Sequence, residues 1–166
     1  MGPPATARPG AEAERRAALD LALRFLAPRP RSRAEVADRL NRAGVGREAT
    51  AFALSRLVEV GLLDDDAFAR WWVDNRCRHR PRARRALAHE LTARGVDRDA
   101  VGAALAGVDD EELAVDVALA RGRRLAAEEE RAAFDRRVGG HLARRGFSGG
   151  TVRRALDAAW RRLRPA

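Results

Sequence analysis

Apolar residues recur along this chain with helical spacing, and no run alternates with a two-residue period long enough to argue for a strand. Leu19, Leu23 and Leu26 lie along one side of a first stretch, 12–27, which Pro28 and Pro30 stop. Ser32 with Glu35 three residues on has the form of a capping box, and the helix it starts carries Val36 and Leu40 on its apolar side. Phe52, Leu54, Leu57 and Val58 mark a third helix over 47–60, closed by Gly61. Asp64, Asp65 and Asp66 open the next, to which Phe68, Trp71 and Trp72 give bulk. A helix after Pro81 turns Leu87 and Leu91 toward the core. Asp109, Asp110, Glu111 and Glu112 then open a longer helix through Leu113, Val117 and Leu125. Glu128, Glu129 and Glu130 precede another with Phe134 and Val138, and 152–163 is the last.

The helix stops carry the strongest signal. Leu40-Asn-Arg-Ala-Gly44-Val45, Leu91-Thr-Ala-Arg-Gly95-Val96 and Leu142-Ala-Arg-Arg-Gly146-Phe147 are one motif written three times, its glycines 51 residues apart. A glycine just past a helix takes the left-handed conformation, and the apolar residue after it folds back on the leucine inside the end. The register holds on both sides. Val36, Leu87 and Val138 precede the three leucines by one helical turn. Gly46, Asp97 and Ser148 follow as acceptable helix starts, and Leu54, Leu105 and Leu156 each come ten residues after their glycine. So many agreements across three copies make an internal repeat.

The predicted fold is therefore all-α: three tandem three-helix repeats forming an elongated array with room to curve. A disordered lead-in at 1–14 is expected, with repeats at 15–62, 63–108 and 109–166. Each unit is too small to bury its apolar face alone, so the units must lean on one another.

Composition alters this picture in two ways. All 33 basic residues are arginine, while Lys, Ile, Gln and Tyr are absent. That bias looks genomic, so the arginine count by itself says little. The net charge of +9 is different, because codon bias does not set basic against acidic residues, and it favours a polyanionic partner. Cys77 is the single cysteine, which excludes an intrachain disulfide and suits a reducing cytosol. No run is apolar enough to span a membrane, and the first residues lack the apolar core of a secretion signal, so the expected localisation is cytoplasmic.

Candidate chemistry is sparse. His79, His89 and His141 lack zinc-ligand spacing, and the acidic clusters are better explained as charges complementing helix dipoles than as a metal site. No phosphate loop, nucleophile elbow or catalytic carboxylate pair can be picked out. Cys77 lies among arginines able to lower its pKa, but no base stands beside it. No enzyme and no cofactor are expected. Trp71 and Trp72 point about 100° apart on a helix, so one is expected in the core and the other against the neighbouring unit.

The arginines divide more sharply. Six fall between Arg76 and His89 with no acid among them. Arg76, Arg78 and Arg80 lead into a helix on which Arg82, Arg85 and His89 are expected as an outward stripe. In the third unit Arg144, Arg145, Arg153, Arg154, Arg161 and Arg162 crowd one helix end and the next helix body. A solvated face usually mixes both signs, so two one-signed patches point to binding. The candidate contact residues are Arg76, Arg78, Arg82, Arg85, Arg144, Arg145, Arg153, Arg154 and Arg161. Leu40, Gly44, Leu91, Gly95, Leu142 and Gly146 define the repeat.

Over 17–163 the chain resembles the RecX family of recombination regulators. The resemblance is carried by Gly61-Leu-Leu-Asp64-Asp65, by Phe68-Ala69 and Arg76, and by Ala143-Arg-Arg-Gly146-Phe147-Ser148 with Arg153-Arg-Ala-Leu156. It departs from the family at Arg80-Pro81, where a basic-Gly step is usual, and at Gly139-Gly140 and Gly149-Gly150, which weaken a helix. The resemblance implies a protein without catalysis that binds the RecA nucleoprotein filament, lies in its groove and restrains recombinase, ATPase and coprotease activities. Weak, sequence-nonspecific DNA binding by a monomer would fit. Two other readings stand beside it: a helix-turn-helix transcription regulator built on 32–66, and a structural adaptor whose charge serves solubility.

Overall fold

Helix caps set most of the element boundaries. In the computed structural model, which describes residues 9–128 and 130–164, the described residues form α1 (Pro9–Leu26), α2 (Arg33–Arg42) and α3 (Arg47–Glu59), then α4 (Asp65–His79), α5 (Arg84–Thr92) and α6 (Arg98–Leu105), then α7 (Asp110–Glu128), α8 (Arg131–Arg144) and α9 (Gly149–Leu163). They contain no strand. Ser32 accepts from Glu35 N while the Glu35 carboxylate accepts from Ser32 N, which completes the capping box of α2. Asp64, Asp97 and Ser148 cap α4, α6 and α9 in the same way, each satisfying a backbone donor that the helix cannot.

The three stops are one structure. Gly44, Gly95 and Gly146 have φ of +78°, +74° and +90°. Val45 N, Val96 N and Phe147 N donate back to the carbonyls of Leu40, Leu91 and Leu142 at 3.2, 3.2 and 3.4 Å. The glycine N–H in each case reaches the carbonyl three residues earlier, which makes a Schellman motif. Gly61, at φ +70°, closes α3 by the same pattern. Leu40, Leu91 and Leu142 are all fully buried, as are Val36, Leu87 and Val138 one turn earlier.

Each repeat has its own core. Val36, Leu40, Ala53, Leu57 and Leu63 belong to the first, Phe68, Trp72, Leu87, Leu91 and Val101 to the second, and Phe134, Val138, Leu142, Phe147 and Ala159 to the third. The most closely packed helix pairs all fall within a repeat. The accessible surface of 10823 Å² exceeds by about a third the roughly 8,100 Å² of a globular monomer of 18.2 kDa. An array in place of one ball accounts for the surplus.

The joints between repeats repeat too. The last turn of each middle helix docks on the first turn of the middle helix before it. Arg94 O accepts from Ser32 Oγ at 2.6 Å, and Arg145 O, 51 residues further along, accepts from Ala83 N at 3.0 Å. The acidic runs complete the contact. Asp64 caps its own helix while Asp65 reaches back to Arg33 N at 2.7 Å; Asp109 and Asp110 do the same for α7 and for Arg84 N at 2.6 Å. Burial pushes the Asp65 carboxyl above its ordinary range, against the lowering effect of the bond from Arg33 N. These acids are ties between units as well as partners of helix dipoles.

Four expectations need correction. Residues 9–14 are helical, because Glu14 accepts from Gly46 N at 2.9 Å and Arg15 pairs with Glu48, tying that turn to α3; residues 1–8 of the expected lead-in lie outside the described residues. α9 begins at Gly149 despite its two glycines, since Ser148 caps it. Gly139 marks a close approach in place of a weak point, as a Cβ there would meet Leu156 Cδ1 at 3.3 Å. Trp71 packs on the core of its own repeat and not on a neighbour, with its ring 6.1 Å from those of Phe68 and Trp72.

Candidate functional site

α4 and α8 both end in arginines, and the joint between the second and third repeats brings those ends together. Arg76, Arg80 and Arg82 approach from the end of α4 and the link to α5; His141, Arg144 and Arg145 approach from the last turn of α8. They enclose a cleft of about 410 Å³ whose lining holds no carboxylate. Arg145 fixes the geometry. Its Nη1 donates to Pro81 O at 2.7 Å and its Nε to His141 Nε2 at 2.9 Å. The Arg80-Pro81 step that departs from the family thus supplies the acceptor that anchors the joint.

The electrostatics are those of cations held close. Burial and the charge of Arg82 lower the Arg145 pKa. Burial, followed by Arg145, Arg121 and Arg144, holds His141 below the ordinary histidine value, and its Nε2 accepts a hydrogen bond as a neutral imidazole must.

One carboxylate organises the rim. Glu90 follows the acid-free run by one residue and turns back into it. Its Oε2 accepts from Trp72 Nε1 and from Arg76 Nε, both at 2.8 Å, and its Oε1 stands 3.2 Å from Arg82 Nε. The Arg76 guanidinium also stacks 4.6 Å from the centroid of the Trp72 ring, and Arg94 lies at 3.7 Å. Trp72 is therefore a buried support for arginines and offers no face for a base.

The nine candidate arginines do not form two uniform patches. Arg76, Arg82, Arg144 and Arg145 converge on the cleft. Arg82 precedes α5 and folds onto Glu90, so it does not share an outward stripe with Arg85 and His89. Arg78 pairs with Asp74 at 2.9 Å, and Arg154 pairs with Glu111. Arg161 donates to Asp157 O at 3.2 Å, while Arg85 and Arg153 are exposed. Arg80 and His141 belong to the cleft, although Arg80, within the acid-free run, and His141 are not among the nine candidate contacts. The repeat register is the signal that finds them. Once the stop at Gly95 is known to dock on the start of α2, the stop at Gly146 must dock on the start of α5, beside Arg80 and Pro81.

Glu111 draws α9 onto α7, accepting from Thr151 Oγ1 at 2.8 Å and from Arg154 Nε at 2.9 Å. These bonds, that from Arg154 foremost, hold its pKa down to about 2 from 4.5. A depressed carboxylate stabilises the fold above its unfolded pKa, and that contribution disappears as pH falls toward the folded value. Glu111→Gln is expected to melt below the parent at pH 7, and the gap should close between pH 4.5 and about 2. Melts of the two proteins across that range check it; a gap that persists unchanged at pH 2 refutes the assignment.

Burial, then Asp74 and Asp110, push the Cys77 thiol up, opposite to the lowering expected from nearby arginines. Among the described residues no cluster of His, Cys, Asp and Glu could hold a metal ion, and no helix is long and apolar enough to cross a membrane.

Family models of the first, second and third three-helix domains of RecX match residues 18–57, 64–105 and 109–156. The chain belongs to the RecX family. It is 40% identical over 149 residues to the regulatory protein RecX of Mycobacterium avium (strain 104), covering 88% of this chain and 84% of that one. The regulatory protein RecX of Thermobifida fusca (strain YX) is 45% identical over 145 residues, covering 83% and 78%. The crystal structure of RecX from Lactobacillus salivarius superposes with a TM-score of 0.73 at 19% identity, over 89% of this chain and 97% of the other. That likeness concerns the RecX fold alone. These curated relatives are named as regulatory proteins and not for a catalysed reaction.

Proposed function

We propose that this chain is a non-enzymatic regulator that binds the RecA–DNA filament and inhibits the recombinase, ATPase and coprotease activities of RecA. It would thereby restrain homologous recombination, DNA repair and the SOS response. The observation that carries this reading is the arginine cleft at the joint of the second and third repeats, set in an array whose surface is about a third larger than a globule's. An extended body reaches several protomers of a helical filament at once, and a cationic joint suits a filament wound on DNA. Membership of the RecX family points the same way.

Added in amounts well below those of its cognate RecA, the purified protein should slow both strand exchange and DNA-dependent ATP hydrolysis. Co-sedimentation should place it with RecA–DNA filaments in preference to bare DNA. A folded sample that changes neither rate refutes the reading. A sequence-specific footprint by the protein alone would instead support a transcription regulator.

A further inference from the structure

The cleft at the joint invites a closer chemical reading. Five of its six lining side chains are arginines, drawn from two repeats that meet where Ala83 of the second joins the core of the third. Like charges at this separation repel, and the lining contains no acid to offset them. Glu90 is the carboxylate paired with members of the set, and it engages Arg76 and Arg82 through their Nε atoms. The bond from Arg76 Nε fixes that guanidinium beside the cleft, and Arg82 is drawn to the same carboxylate. Arg80 and Arg144 make no ion pair among the described residues and are exposed. His141 Nε2 accepts from Arg145 Nε at 2.9 Å, so the imidazole sits in the cleft as an acceptor among donors. Burial first, and then the charges of Arg145, Arg121 and Arg144, keep its pKa low, so neighbouring cations add to the effect of burial.

We propose that this cleft seats an internucleotide phosphate of DNA, clamped between Arg76, Arg80 and Arg82 of the second repeat and Arg144 and Arg145 of the third. Phosphate is favoured over an acidic peptide because no apolar side chain lines the cleft. A peptide gains affinity and register from buried apolar anchors, whereas a nucleic-acid backbone is held by charge and hydrogen bonds alone. The bound phosphate would also offset the repulsion across the joint and hold the two repeats at one angle. The inference rests on the reading above for its place on a filament. Its test uses DNA without recombinase, so each can fail alone.

The full chain is titrated with a labelled oligothymidylate, followed by fluorescence anisotropy across a range of salt. Arg80→Glu combined with Arg144→Glu should weaken binding at least tenfold and flatten the dependence of log K on log salt by about 0.7, as expected for a lost phosphate contact on a single strand. Arg24→Glu combined with Arg47→Glu, which changes the net charge equally on the first repeat, should weaken it far less. In the unmodified protein, the oligonucleotide should shift the imidazole resonances of His141 and leave those of His89 in place. Equal weakening by the two double variants overturns the proposal, as does a His141 signal that ignores the oligonucleotide. A His141 response to polyglutamate but not to DNA assigns the cleft to an acidic protein segment and overturns it equally.

Discussion

Gly95→Ala should lower the melting temperature by roughly 9 °C, from a loss of about 3 kcal/mol in a chain of this length. Two costs combine. The left-handed backbone, at φ +74°, costs any residue with a Cβ about 1–2 kcal/mol. The new methyl would also overlap Ala34 Cβ at the start of α2, and overpacking of this kind costs about 1–3 kcal/mol. Gly44→Ala separates the two, because its φ is +78° with nothing within 4 Å of a Cβ. That variant should bear the first cost only and melt well above Gly95→Ala. Gly146→Ala, 3.0 Å from Ala86 Cβ, should fall between. Thermal melts of the three variants rank them directly. Equal melting points for Gly44→Ala and Gly95→Ala would mean that the stop of the second repeat does not bear on the first.

Glu90→Ala should cost about 3 kcal/mol, within the range for breaking a buried ion pair by removing one partner. The side chain is 14% exposed, accepts hydrogen bonds from Trp72 Nε1 and Arg76 Nε, and pairs with Arg82. Its loss leaves Trp72 Nε1–H without an acceptor and Arg76, itself 21% exposed, without its counter-charge. Glu90→Gln retains an acceptor oxygen for one of them and should cost about half as much. The functional expectation runs against simple charge counting. Removing an acid beside a cationic cleft raises its charge, yet DNA binding should weaken, because Arg76 and Arg82 lose the contact that aims them. Melts and oligonucleotide titrations of both variants test this. Tighter binding with an unchanged melt would show that Glu90 merely moderates charge.

The repeat was legible because it is written in local chemistry. A Leu-x-x-x-Gly-apolar stop needs only one helix end to work, and its three copies put Gly44, Gly95 and Gly146 in one conformation. The caps at Ser32, Asp64, Asp97 and Ser148 are local for the same reason. What stayed hidden lies between elements. Glu90 sits outside the acid-free window that made the arginine run conspicuous, and only folding returns its carboxylate to Arg76. Glu111 meets Arg154 across 43 residues, which turns part of an apparently one-signed patch into an ion pair. Gly122, inside α7, is a further contact between elements: a Cβ there would meet the Phe134 ring at 2.5 Å. Arg82 was misplaced because the helix after Pro81 starts at Arg84, capped from outside by Asp110 and by Arg145 O on Ala83.

The direction of docking has an architectural consequence. Each middle helix receives the following unit at a first turn made of small residues, Ser32 and Ala34 in one case, Ala83 and Ala86 in the other. In the third unit the position 51 residues beyond Ala83 is Phe134, fully buried, and α8 begins three residues before it. The landing place of the first two units is filled in the third. An extra 51-residue module could be spliced in between the second and third units, where both mating surfaces exist, or set ahead of the first, whose stop at Gly44 has nothing within 4 Å of a Cβ. The array is thus polarised, with an open stop at its first unit and a filled seat at its third.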